Sequence, residues 1–206
     1  TCALPISSFF SGLLAGSVGW GDACIIVPYE MYRRYGDARI LSENYEMMKK
    51  WYVFLEERAK KRPVNPVKRF KRNPYRRYTI ETGVDYGEWC EPDVESTSAM
   101  RTPQGKVATA FFAYSGRMLA EIAAILGKED DAAYYSKTAE MAKKAWRFIA
   151  TEDGKISSDR QADYVRALAF GLLDGDEARQ AAADLNELVK KCGYQLNTGF
   201  LSTPNL

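Results

Sequence analysis

The 206-residue chain contains no histidine. That absence removes Ser-His-Asp and Cys-His catalysis and most zinc sites, so any chemistry must rest on carboxylates, Tyr, Lys or Cys. Cysteine is sparse as well. Cys2, Cys24, Cys90 and Cys192 stand far apart with no C-x-x-C pair, which speaks against a zinc knuckle or a redox motif. Buried free thiols are expected. No run reaches the ~18 apolar residues of a membrane-spanning helix. The longest, Phe9 to Val18, is broken by Gly12, Gly16 and Ser17 and lacks a basic leader, so it is not read as a signal peptide. No membrane partner is expected, and the compartment stays open between cytoplasm and periplasm or medium.

What is present is a globular composition, with 46% hydrophobic residues, thirteen Tyr and four Trp. The net charge of +2 conceals a segregation. Residues 58–78 hold ten of the 29 basic residues and no acid, leaving 19 basic against 27 acidic elsewhere. Phe70, Tyr75 and Tyr78 lie among these cations, a pattern compatible with gripping nucleic acid. Pro63, Pro66 and Pro74 make it an irregular strap, and docking on the chain's own acidic body or on a neighbouring domain is expected instead.

Apolar residues recur at helical spacing in pairs of segments. The first pair is 22–35, with Pro28 inside it as a kink or late start, and 40–61, where Tyr45, Met48, Tyr52 and Leu55 share a face. The second is 107–126 and 131–150, separated by Gly127, with Asp130 or Asp131 as N-cap. The third is 161–173 and 176–192, punctuated by Gly175 and Gly193, with Ser158 or Asp159 as cap. The first helix of each pair is apolar over more of its surface, and the second is amphipathic and charged. An inner and an outer ring of helices would produce that alternation, as would a solenoid of helix pairs. The fold class is therefore all-α, built of antiparallel helix hairpins. Residues 62–106 form a connection too long to be a plain turn. Thr1 to Ser7 resembles translated adapter sequence, so 1–15 is read as a contig-edge leader and 16–206 as the domain.

Two clusters could carry chemistry. Gly19-Trp20-Gly21-Asp22 stands at the mouth of the first inner helix, and Asp85-Tyr86-Gly87-Glu88-Trp89-Cys90-Glu91 lies in the long loop before the second. Each sets carboxylates beside a Trp. Sugars call for that pairing: a ring face to stack on C–H groups, and carboxylates to bind hydroxyls or act as acid and base. The plain structural alternative is that Asp22 caps its helix and Trp89 belongs to the core.

The segments 16–23, 26–29, 34–37, 85–89, 107–128, 167–173 and 196–204 together, in this order, resemble the catalytic domain of the bacterial α-L-rhamnosidases, glycoside hydrolase family 78. The resemblance implies part of an (α/α)6 toroid, incomplete here, and removal of terminal α-L-rhamnose with inversion, without metal or cofactor. It implies a rhamnose-containing oligosaccharide or glycoside as partner, and flanking domains of the same polypeptide. Asp22 and Glu88 are the expected catalytic residues, with Trp20, Trp89, Asp85 and Glu91 binding substrate. The family's usual general-acid position falls at Gly16, followed by Ser17, and its general base lies past Leu206. The chain alone is thus expected to be inactive. Two rivals are a different toroid enzyme, such as another glycosidase or a polysaccharide lyase, and a non-catalytic helical-repeat scaffold. A lyase would want a Tyr or His base.

Overall fold

The computed structural model describes residues 16–61, 73–92 and 104–206. The leader and most of the basic strap lie outside these residues. Six helices carry the fold: α1 (Ala23–Tyr35), α2 (Arg39–Lys60), α3 (Gly105–Ile125), α4 (Glu129–Ala150), α5 (Gln161–Ala169) and α6 (Gly175–Lys191). They pack as three antiparallel hairpins, α1 on α2, α3 on α4 and α5 on α6, with α3 touching both α1 and α5. The arrangement is an arc of a helical toroid.

The helices form where apolar spacing dictates. On α2, Leu41, Tyr45, Met48, Tyr52, Leu55 and Ala59 are all buried at steps of three or four residues. On α4, Tyr135, Ala139, Ala142 and Trp146 do the same, while Glu129, Asp130 and Asp131 occupy the first turn, where the helix dipole favours anions. That helix begins two residues before the expected start, and neither Asp caps it. Asp131 instead accepts a hydrogen bond from the Tyr45 hydroxyl at 2.7 Å, tying hairpin one to hairpin two. Pro28 sits inside α1 without ending it.

Helix α5 stops at Ala169, four residues before the expected end. Gly171 takes φ +63°, and the Leu172 N–H reaches back to the Ala167 carbonyl at 2.9 Å. This is the glycine-dependent 6→1 closure of a helix C-terminus. The same bond closes α3 (Lys128 to Ala123, at Gly127) and α6 (Tyr194 to Val189, at Gly193). A two-residue β-hairpin, Thr151–Glu152 on Lys155–Ile156, follows α4. Its turn is Asp153-Gly154, both at positive φ, a recognised hairpin signal that the helical reading passed over.

Burial separates inner from outer helices in the second and third hairpins, but not in the first. α3 is buried on nearly all sides, and α5 is buried from Gln161 to Ala167, whereas α6 fully buries only Ala181. α1 lies at one edge of the arc and buries only Ile25 and Pro28, so Val27, Met31 and Tyr35 are exposed. Cys90 and Cys192 are exposed and Cys24 is half-buried, all as free thiols. The expectation of buried thiols fails for the first two because Cys90 lies in the long loop and Cys192 at the C-terminal cap of α6, both at the surface. No helix among the described residues is long and apolar enough to cross a membrane.

Candidate functional site

The segments that enter α1, α3 and α5 converge at one end of the arc, joined there by residues 195–203. The first two bring the carboxylates of the sequence clusters, the third brings Ser158 and Arg160, and each cluster carboxylate is anchored.

Asp22 stands at the N-cap position of α1 but makes no capping bond to its own helix. It is 0% exposed. Its Oδ2 accepts the Gly19 N–H at 2.7 Å, and Oδ1 accepts the Ser115 hydroxyl at 2.5 Å and the Trp51 indole N–H at 3.1 Å. Burial pushes its pKa above 3.8, although these three donors and not a cation surround it. Asp85, also buried, receives both guanidinium arms of Arg58 at 2.9 Å and the Val18 N–H at 2.7 Å. That pair fastens the long loop to α2 and to the turn carrying Trp20.

Glu88 is 2% exposed. Its Oε1 accepts the backbone N–H groups of Ser202 (2.7 Å) and Gly199 (3.1 Å). Its Oε2 accepts the Ser202 hydroxyl at 2.8 Å and an arm of Arg166. The other arm of Arg166 reaches Asp163, which also accepts the Ser158 hydroxyl at 2.6 Å. Burial raises Asp163, but Arg166, Ser158, Arg160 and Lys106 outweigh it and hold the carboxyl below 3.8. Glu91 is buried and gripped bidentately by Arg160, with Nε to Oε1 at 3.0 Å.

The anchors carry an aromatic wall. Trp20 stacks on Phe200, with ring centroids 5.0 Å apart at 16°, and meets Tyr86 edge-on at 5.8 Å. Tyr86 in turn meets Trp89 edge-on at 5.4 Å. Phe200 is 62% exposed, and Trp20, Tyr86 and Trp89 are half-buried. Trp89 and Cys90 are both held at positive φ, +48° and +55°. The cause is close backbone approach: the Phe200 N–H donates to the carbonyls of Glu88 and Trp89, each at 2.9 Å. At Gly199 a Cβ would fall on the Trp89 carbonyl.

The structure thus brings together Trp20, Trp89 and the loop carboxylates, but not as an open acid–base pair. Asp22 and Glu88, expected as the catalytic residues, present no oxygen free of a donor, and neither do Asp85 and Glu91. Desolvation explains the difference: a carboxylate this deep must be saturated with donors. Among the described residues no three Cys, Asp or Glu side chains gather to hold a metal. Sequence reading missed Arg58, Arg166, Ser115 and Ser202. Arg166 alone carried a signal, as the one cation within the apolar run 164–173. Ser158 accepts the Arg160 N–H at 3.2 Å, near the expected capping role.

The sequence matches the bacterial alpha-L-rhamnosidase 6 hairpin glycosidase domain over residues 4–206. The chain belongs to this family. An alpha-L-rhamnosidase from Formosa agariphila is 33% identical over 193 residues, covering 92% of this chain and 19% of the relative. One from Streptomyces avermitilis is 34% identical, covering 93% of this chain and 16% of the relative. Solved structures agree. The Streptomyces avermitilis alpha-L-rhamnosidase complexed with L-rhamnose superposes with TM-score 0.75 at 31% identity, over 96% of this chain and 17% of that one. The Aspergillus terreus enzyme gives TM-score 0.70 at 26% identity, over 89% of this chain and 20% of that one. This rhamnosidase-family chain spans about a fifth of the length of the curated relatives it matches.

Proposed function

We propose that this chain forms one wall of the sugar site of an inverting glycoside hydrolase that removes terminal α-L-rhamnose from an oligosaccharide or glycoside. The observation that carries the reading is the wall Trp20–Phe200–Tyr86–Trp89, set at the mouth of the inner helices and fixed by buried carboxylates. Ring faces of this kind stack on the C–H faces of a sugar, and Trp and Tyr add polar edges for its hydroxyls. The buried indole N–H of Trp20 has no acceptor among the described residues, so a donor is held in reserve beside the wall.

Asp22 and Glu88 serve this site by position. Asp22 fixes the Trp20 turn through the Gly19 N–H, and Glu88 fixes Trp89 and Phe200 to each other. Asp85 and Glu91 do the same for the two ends of the loop. An inverting reaction needs one carboxylic acid at the leaving oxygen and one carboxylate on a water, about 6.5–9.5 Å apart. The donor-saturated carboxylates of this wall do not supply that pair, so the 206-residue chain alone is expected to bind sugar weakly and to turn over nothing. The test is hydrolysis of an aryl α-L-rhamnoside by the chain alone and by a longer polypeptide containing it. Turnover is expected only from the latter, with β-L-rhamnose as the first product by NMR. Turnover by the chain alone would overturn the proposed division of labour, and a first product of α configuration would overturn inversion.

A further inference from the structure

Away from the sugar wall, the outer helices α2 and α4 and the short helical turn Arg76–Tyr78 enclose a cavity of about 260 Å³. Its floor is the ring of Phe112, which is 0% exposed, and its sides include Tyr78 and Tyr134. Three cations from three separate elements border it: Lys60 at the end of α2, Arg77 in the turn and Lys137 on α4. Among the described residues the only carboxylate lining it is Glu56, and it accepts the Tyr134 hydroxyl. Tyr134 is pushed up to about 12, first by that bond and then by burial, so the hydroxyl remains a donor that occupies Glu56.

The contrast with a larger neighbouring cavity is informative. Near Tyr75 and Phe148, Lys143 pairs with Asp174, Lys144 with Glu140 and Arg147 with Glu177. Its cations are already matched. Among the described residues Lys60, Arg77 and Lys137 have no acidic partner within 4.0 Å, although fourteen other ion pairs form among those same residues. Three unmatched cations around an apolar, aromatic-walled hollow repel one another and attract an anion.

We infer that this cavity is a binding site for a small organic anion, one carboxylate or phosphate carried on a ring-sized body. The ring would lie against Tyr78 and Tyr134, and the charge would face Lys60, Arg77 and Lys137. The size agrees: a closed apolar cavity of about 150 Å³ takes a benzene ring, which leaves room here for the charged group. The site is independent of the rhamnoside reading, because it touches none of the residues of the sugar wall.

The test is calorimetric titration of the chain with benzoate, D-glucuronate, glucose 6-phosphate and inorganic phosphate at low salt. Saturable one-to-one binding of at least one ring-bearing anion is expected, weakening as salt rises. Lys137→Gln and Arg77→Gln should each weaken it about tenfold, the scale of one charge-assisted hydrogen bond, while Lys155→Gln on the β-hairpin, which does not line the cavity, leaves it unchanged. All three positions are exposed, so the variants keep the fold. Three outcomes would overturn the inference. They are no saturable binding by any probe, equal binding of the uncharged benzamide, and binding confined to polyanions such as an oligonucleotide, which would make the region a backbone-tracking surface instead.

Discussion

Consider the replacement of Arg166 by Met. The guanidinium is 2% exposed, and it faces Glu88 at 2% and Asp163 at 9% exposure. Met fills most of its volume but leaves two desolvated carboxylates without their cation. Glu88 keeps its bonds from Ser202 and Gly199, and Asp163 keeps Ser158, so neither is stripped bare. Breaking a buried pair from one side costs about 3–5 kcal/mol, against a total stability of about 5–15 kcal/mol for a domain. In a chain of this size each kcal/mol moves Tm by about 2–4 °C, so a fall of about 6–20 °C is expected. Thermal melting followed by tryptophan fluorescence reads it, since Glu88 ties the segment of Trp89 to that of Phe200, on which Trp20 stacks. Arg166→Lys should lose less, because it retains the charge while giving up the fork that spans both acids. In a double-mutant cycle with Glu88→Gln, the two changes should couple by about 1 kcal/mol or more. A Tm within about 2 °C of the parent for Arg166→Met, under 1 kcal/mol at this size, would mean the network is solvated in solution, and the account of the wall's rigidity would fall with it.

Other expectations follow from the same geometry. The hydroxyl of Tyr52 is buried without a partner, so Tyr52→Phe should be neutral or stabilise by about 1 kcal/mol in urea unfolding. Gly199→Ala should cost about 2 kcal/mol or more, because a Cβ there meets a backbone carbonyl that cannot rotate away; near-UV circular dichroism would report loss of the Trp20–Phe200 stack. Asp163 has a depressed folded pKa, so its stabilisation is present above its unfolded value of 3.8 and is lost as pH falls through the folded one. Acid unfolding should therefore steepen below pH about 4, and Asp163→Asn should flatten that limb. Asp22 works the other way: its raised pKa favours the folded state at low pH, an advantage lost as pH rises through the folded value, so Asp22→Asn should remove that component. Among the thiols, Cys90 and Cys192 should react rapidly with a disulfide reagent at pH 8. Cys24, pushed up to about 12 chiefly by burial and then by Asp22, should lag far behind.

The hairpins were legible because each rests on local periodicity. The buried stripe of α2 can be listed from the sequence alone, and Gly127 and Gly193 mark their helix ends correctly. Gly171 did not, since the apolar run around it continues past the point where the backbone turns left-handed. The clusters around Trp20 and Trp89 were legible as members of one site, but the state of their carboxylates was not. What donates to Asp22 is Ser115, 93 positions away, and what holds Glu88 is Arg166, 78 away, and Ser202, 114 away. An acid beside a Trp reads the same in sequence whether it faces water or a guanidinium. Only burial tells them apart, and burial is a property of the assembled chain.

The bond from the Phe200 N–H to the carbonyls of Glu88 and Trp89 spans more than a hundred residues. Such a closure comes late, because the chain must surrender the freedom of a very long loop before it gains the contact. The hairpins can gather early from neighbours in sequence, while the sugar-facing surface waits for the last segment to dock. A polypeptide arrested or clipped just before Leu196 would keep its helices and lose the clasp that positions Trp89, ending as a sound scaffold with a disordered mouth.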